Sequence, residues 1–206
     1  MSFGGSVGGV EEQLEQCGIG ANADERRKIA REWFDIGKEA FVKAMASAPE
    51  VLFVAAAGNE NADSSFAESI PADIVLPNLI TVGAVDKAGD EAPFTSYGKT
   101  VVVHANGYLV DSVIPGGERL TESGTSMSAP QVTNLAAKIL AVNPALTPPQ
   151  VIEIIRQTAE KPADGRRVLI HPRKAIVAAV RKLLPDPRRG RECRWMGSGV
   201  TQGVNP

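Results

Sequence analysis

The sequence predicts a layered α/β domain in which a parallel sheet is covered by helices. Three observations carry that expectation. The chain has 206 residues with 43% hydrophobic side chains, the size and composition of one ordinary folded domain. It contains fully apolar runs too short for helices, which is how strands buried on both faces read. Stretches with helical spacing alternate with those runs.

The elements follow in order. The first twenty residues are rich in Gly and Ser and read as a strand end followed by a loop. From Ala23 to Ala48 an amphipathic helix is predicted, with Ile29, Trp33, Ile36, Ala40, Phe41, Ala44 and Ala48 as its apolar stripe and Pro49 as its stop. VLFVAAA (51–57), halted by Gly58 and Asn59, reads as a buried strand; NLITVGAV (78–85) and TVVVHA (100–105) are two more. A helix is predicted within GTSMSAPQVTNLAAKILAVNP (124–144), with Val132, Leu135, Ala136, Ile139 and Leu140 on one face and Pro130 in its first turn. Thr147-Pro148-Pro149-Gln150 has capping-box spacing for the next helix, whose stripe is Val151, Ile154 and Ile155. A last helix runs from about Pro172 to Leu184, and residues 185–206, rich in Pro, Gly and Arg, read as a basic tail. No internal repeat is visible.

Composition excludes several classes. The apolar content argues against disorder in the bulk of the chain, and two cysteines, Cys17 and Cys193, do not make a disulfide scaffold. A bond between them would need an oxidising compartment, and two free thiols are the simpler expectation. No apolar run reaches the roughly 18 residues of a membrane span, and MSFGGSVGG lacks the regions of a signal peptide. With 22 basic and 24 acidic residues, nothing points to nucleic acid as a partner. There are two histidines, His104 and His171, so histidine chemistry within this chain would have to use one of them.

Ser126 follows a glycine-led turn at the start of a helix, where free backbone amides and the helix dipole can stabilise a developing oxyanion. Gly124 lets the backbone turn tightly and leaves room for an approaching chain. The same residues, Thr125, Ser126 and Ser128, also suit a plain helix cap, and spacing leaves both readings open. Asn59 stands at the carboxyl end of a buried strand, where α/β folds gather functional groups and where its amide could donate to an oxyanion. Gly58-Asn59 would equally serve as a turn.

GTSMSAP (124–130) resembles the nucleophile motif of the subtilisin-like serine proteases, the subtilases, and VLFVAAAGNEN (51–61) is similar to that family's oxyanion strand and loop. NLITVGAVDKAGDEAPFTSYG (78–98), VHANGYLVDSVIPGG (103–117) and RRVLIHPRKAI (166–176) follow the family in order, and MSFGGS (1–6) looks like its substrate-pairing strand. The resemblance runs from residue 1 to about 180. It implies a three-layer, mostly parallel sheet flanked by helices, truncated at the N-terminal side, with residues 1–184 a partial catalytic domain and 23–48 a helical insert. It also implies acyl transfer through Ser126, with Asn59 and the Ser126 amide holding the oxyanion, and a substrate site built from Ser2, Phe3, Gly4, Ala57, Gly58, Gly124 and Thr125.

Two positions depart from the pattern: Asn106 stands where a Pro is usual, and Gln131 where a His commonly follows the motif's Pro. More consequential is the family's Asp, His, Ser order, which puts both the Asp and the His before Met1. His104, on a strand, reads as a packed or partly exposed histidine, and His171 is a weaker candidate for a base. Without a base, Ser126 is a poor nucleophile, so little peptidase activity is expected of the isolated chain. Loss of earlier strands would also leave an unpaired sheet edge and an uncovered apolar face.

The resemblance therefore implies a serine endopeptidase present as a part, with peptide or protein substrates, an upstream Asp- and His-bearing segment as partner, and an extracellular or periplasmic setting. The alternative is a non-catalytic relative that binds extended peptides. A sedolisin-type Glu-Asp-Ser constellation ranks last, because Met127 and the AAAGNEN loop favour the subtilisin type. No cofactor is expected for the chemistry. Structural calcium is common in the family, but Asp63, Glu68 and Asp73 read as a solvated loop rather than a metal site.

Overall fold

The computed structural model describes residues 1–63, 68–163 and 166–183. Leu184, the expected tail (185–206) and Cys193 lie outside the described residues.

At the centre is a three-stranded parallel sheet of β2 (Phe53–Ala56), β4 (Leu79–Val85) and β5 (Val101–Asn106), in the order β2-β4-β5. The seven residues of β4 are all buried, as a continuous apolar run requires. Helix α3 (Thr125–Val142) packs on one face, where Val132, Leu135 and Ile139 meet Val54, Ile80, Val82 and Val103. Behind α3 lie α4 (Pro148–Thr158) and α5 (Pro172–Arg181). On the opposite face α2 (Ala23–Ala46) sets Phe34 and Met45 against Ala55 and Leu79. The result is a helix, sheet, helix sandwich, the three-layer arrangement expected. Two antiparallel pairs complete it: β1 (Gly5–Ser6) with β3 (Ser69–Ile70), and the hairpin of β6 (Val110–Val113) and β7 (Arg119–Glu122).

The two edges of the central sheet differ. Beyond β5, His104 exchanges backbone bonds with Val168 and Ile170, so the 168–170 segment covers that side. Beyond β2, Met1 donates its amino group to the Val54 carbonyl and accepts from the Ala56 amide at 3.0 Å. That is the bonding pattern of a parallel strand, contributed here by one residue.

Three expectations need correcting. Residues 7–16, read as loop, form helix α1 (Val7–Gln16). Glycines disguise it: Ser6 caps the helix by accepting the Gly9 amide at 3.1 Å, and Leu14, 1% exposed, anchors it against α2 with help from the Glu15–Arg26 and Glu11–Arg27 pairs. Along α2, the buried stripe is Ala30, Phe34 and Met45, while Trp33 and Ile36 are 53% and 67% exposed. The helix carries two offset apolar stripes, and contact with α1 and the sheet decides which is buried. Pro130 is the sixth residue of α3 and so lies in its second turn.

Gly8 tests the account of α1. It is helical and open, with nothing within 4 Å of an added Cβ. Gly8→Ala is expected to stabilise the fold by up to about 1 kcal/mol, read as a rise of a few degrees in the thermal midpoint.

Candidate active site

Ser126 is placed by the first turn of α3 and by what that turn touches. The Thr125 amide, one of the helix's unpaired N–H groups, donates to Asn59 Oδ1 at 2.8 Å, and Thr125 Oγ1 donates to the same oxygen at 3.0 Å. Thr125 Oγ1 in turn accepts the Gly58 amide at 3.1 Å. Asn59 therefore caps α3 from 66 residues away, where Gly124 has no side chain to do so. Because both bonds use Oδ1, the amide's orientation is set, and its donor Nδ2 is not used by Thr125. An added Cβ on Gly124 would come 3.3 Å from that Nδ2, so the glycine keeps the approach to the amide clear.

The next residues tie the turn down. Ser128 Oγ donates to the Ala105 carbonyl at 3.0 Å, at the end of β5. Pro130 has no N–H to give to the carbonyl four residues back, which is that of Ser126. That carbonyl accepts Ser2 Oγ instead, at 3.0 Å. Ser126 Oγ donates weakly to the Ser2 carbonyl at 3.4 Å. The Ser126 amide lies among the first N–H groups of the helix, which have no acceptor within it.

Gly107 sits beneath this turn. Its amide bonds to Val85 and its carbonyl accepts the Gly124 amide at 2.7 Å. An added Cβ would strike Ser128 Oγ and lie 2.7 Å from both Ala84 Cβ and the Gly124 carbonyl oxygen. Two of these neighbours are backbone or core atoms that cannot swing away. Gly107→Ala is expected to cost about 2 to 3 kcal/mol and to shift the turn that holds Ser126. A denaturant titration checks the first effect; a variant as stable as the parent would contradict the geometry.

Ser126 stands between two cavities. One, of about 410 Å³, is lined by Ser2, Phe3, Gly4, Gly58, Asn59, Thr125 and Ser126, and by Glu60, all within segments expected from the sequence, and also by Ser69, Ile70 and residues of α1, which were not. The other, of about 510 Å³, lies toward Val110, Ser112, Met127, Pro130, Gln131 and Asn134. Of the expected substrate residues, Ala57 and Gly124 line neither cavity: both are buried, Ala57 at 1% exposure, and Ala56 lines the wall in place of Ala57. Helix α1 escapes a reading of the sequence because its glycine-rich start carries no periodic signal.

Asn106 and Gln131, the two departures noted in the sequence, meet each other. Gln131 Nε2 donates to the Asn106 carbonyl and, at 3.2 Å, to that of Met127. A side-chain amide can reach across this gap, and the pair links the end of β5 to α3.

The two histidines are engaged elsewhere. His104, 2% exposed, accepts the Val168 amide on Nδ1 at 3.2 Å. His171 accepts the Lys174 amide on Nδ1 at 3.3 Å, capping α5, and its Nε2 lies 3.5 Å from Glu160. The Lys174 hydrogen bond and charge, with His171 adding to them, hold Glu160 below the usual carboxylate range.

Of the loop carboxylates, Glu68 is gripped by both guanidinium nitrogens of Arg31, which lower its pKa, and Asp73 by Lys38 at 2.7 Å. Each is paired with a cation from α2, so these two carboxylates are ion-paired rather than solvated as expected. Among the described residues no group of three or more His, Cys, Asp or Glu side chains is clustered as a metal would need, and no helix is long and apolar enough to cross a membrane.

Comparison with known proteins bears on the family and the fold. Residues 1–182 match the model of the subtilase family. The chain is 38% identical over 109 residues to subtilisin of Bacillus pumilus, covering 53% of this chain and 39% of that protein. It is 40% identical over 124 residues to alkaline protease 1 of Aspergillus clavatus, covering 58% and 30%. Among solved structures, a cold-adapted subtilisin-like serine proteinase superposes with a TM-score of 0.58 at 26% identity, over 84% of this chain and 53% of that one. A protease from Pseudoalteromonas arctica gives 0.60 at 23% identity, over 87% and 50%, a likeness of fold. The chain thus spans 39% or less of these two curated relatives and about half of the solved structures.

Proposed function

This chain belongs to the subtilase family, and from that premise we propose that it is the nucleophile-bearing part of a serine endopeptidase, with the triad's Asp and His supplied by an upstream segment. One observation carries the reading: Asn59 is locked through Oδ1 to the first turn of α3, which leaves its Nδ2 as an oxyanion donor beside Ser126. Ser126 Oγ attacks the scissile carbonyl of a peptide or protein while the upstream His takes its proton. Asn59 Nδ2 and the Ser126 amide hold the negative oxygen, and the proton then passes to the departing amine. The acyl group left on Ser126 is released by water through the same steps. The two cavities flanking Ser126 suit the residues before and after the bond that is cut. By family, an extracellular or periplasmic setting is expected.

Two features favour the upstream segment. Met1 occupies one position of a parallel strand along β2, and a segment leading into it would continue that strand. Trp33 and Ile36 present apolar surface on the neighbouring helix, which such a segment would cover.

A second reading, a relative that binds extended peptides without cutting them, draws on the contact of Ser126 Oγ with the Ser2 carbonyl, which is not a base. A serine-directed fluorophosphonate probe separates the two. Labelling of Ser126 that needs an added Asp- and His-bearing subtilase fragment supports the split enzyme. Absence of labelling in that mixture, with peptide binding retained, favours the binder.

A further inference from the structure

We propose that the groove between the end of α4 and the outer face of α5 docks an acidic peptide segment of a partner protein. The segment lies extended along α5, with carboxylates on Arg173 and Arg181 and an aliphatic side chain between them on Val177. The groove shares no lining residue with the two cavities beside Ser126, so it stands apart from the site described above.

Charge gives the first argument. The groove, of about 650 Å³, is lined by Arg173, Lys174 and Arg181 of α5, and among the described residues no carboxylate lines it. Lys174 is already matched: its Nζ lies 3.0 Å from Glu160, which also faces His171 at 3.5 Å. Arg173 and Arg181 are exposed and, among the described residues, in no ion pair, whereas Arg26, Arg31, Arg119 and Arg156 each face a carboxylate. Two helix ends border the groove, the negative end of α4 at Thr158 and the positive end of α5 at Pro172, and their partial charges offset. What remains is the charge of two guanidiniums, the group best shaped to take a carboxylate through paired N–H bonds.

The sequence beyond α5 does not answer that charge. Residues 185–206 hold Arg188, Arg189, Arg191 and Arg194 against Asp186 and Glu192, a segment of the same sign as the groove. The complement has to come from another chain.

Spacing gives the second argument. Arg173, Val177 and Arg181 recur every four residues, which sets them along one side of α5. Eight residues of helix rise about 12 Å. An extended peptide turns alternate side chains to one face and rises about 3.3 Å per residue, so its first and fifth side chains lie about 13 Å apart with the third between them. Acid, aliphatic and acid at those positions meet arginine, valine and arginine. Val177 is 45% exposed, and Val180 and Leu183, also exposed, continue the apolar strip along the helix. A partner seated there takes that strip out of water.

The test titrates the isotope-labelled full chain with acetyl-Ser-Glu-Ser-Leu-Ser-Glu-Ser-amide and follows backbone amide shifts by NMR, so it does not depend on turnover. Saturable shifts are expected in residues 157–159 and 171–181, with Asn59 and Ser126 unmoved. Glutamine in place of both glutamates is expected to weaken binding about five- to tenfold, and high salt should erase most of that difference. Placing the two glutamates side by side at one end should cost about threefold, because one arginine is left unmet. Serine in place of the leucine should cost about threefold as well. Arg173→Gln combined with Arg181→Gln should bring the glutamate peptide down to the glutamine level. Changing Arg188, Arg189, Arg191 and Arg194 to Gln should leave binding unaltered. Equal binding of the glutamate and glutamine peptides, or binding lost with those four arginines and kept without Arg173 and Arg181, would overturn the inference. Indifference to the leucine or to the glutamate spacing would reduce the groove to a patch for any anion, which also overturns it. Shifts of the same amides by phosphatidylglycerol vesicles, with none from the peptide, would assign this face to a membrane surface instead.

Discussion

Ser126→Ala is expected to lower peptide turnover about a millionfold once the chain is supplied with an upstream Asp- and His-bearing segment, the size of the loss known for the equivalent change in its relative subtilisin. That loss corresponds to about 8 kcal/mol of transition-state stabilisation. Without such a segment the same substitution should change hydrolysis little, because on the proposed mechanism the base that takes the serine's proton comes from it. Folding should also be nearly untouched, because the hydroxyl makes one long bond, 3.4 Å to the Ser2 carbonyl. Turnover of a chromogenic peptide with and without the added segment provides the measurement. A parent and a variant equally active in the mixture would remove Ser126 from the mechanism.

Asn59→Leu is expected to act on two properties at once. Loss of the Nδ2 donor should reduce turnover on the order of a hundred- to thousandfold, again a magnitude known from subtilisin. Loss of Oδ1 leaves the Thr125 amide and hydroxyl without their acceptor and should cost about 1 to 2 kcal/mol of stability. Asn59→Asp separates the two. It keeps an oxygen for Thr125, so stability should largely recover, but it brings a negative charge to the oxyanion, so turnover should not. Rates in the reconstituted enzyme and denaturant midpoints for the three proteins give both readouts. Recovery of turnover in Asn59→Asp would argue against an oxyanion role.

The central strands are legible in the sequence because a strand buried on both faces leaves an unbroken apolar run, and Leu79–Val85 is buried along its whole length. Ser126 and Asn59 are legible as short motifs, but the bond that makes them one site is not. Thr125 and Asn59 are 66 residues apart, and local spacing carries no sign that one caps the other. The cavity on the Phe3 side of Ser126 is half visible: its strand and loop walls can be named from their motifs, while α1 is hidden by glycines whose helical state depends on a cap at Ser6 and a buried Leu14. The choice between the Phe34 and Trp33 stripes of α2 is likewise made by tertiary contact, because both satisfy helical periodicity.

Pro130 has a consequence for how the serine could be engineered. By withholding one amide, it breaks the bond that would join the first turn of α3 to the rest of that helix at Ser126, and the freed carbonyl is taken by Ser2. The turn bearing Ser126 is thereby mortised into three neighbours, residues 2, 59 and 105, rather than cantilevered from its own helix. The distal part of α3, from Val132 onward, can be repacked as a core problem in its own right, with the position of Ser126 indexed to residues 2, 59 and 105 instead.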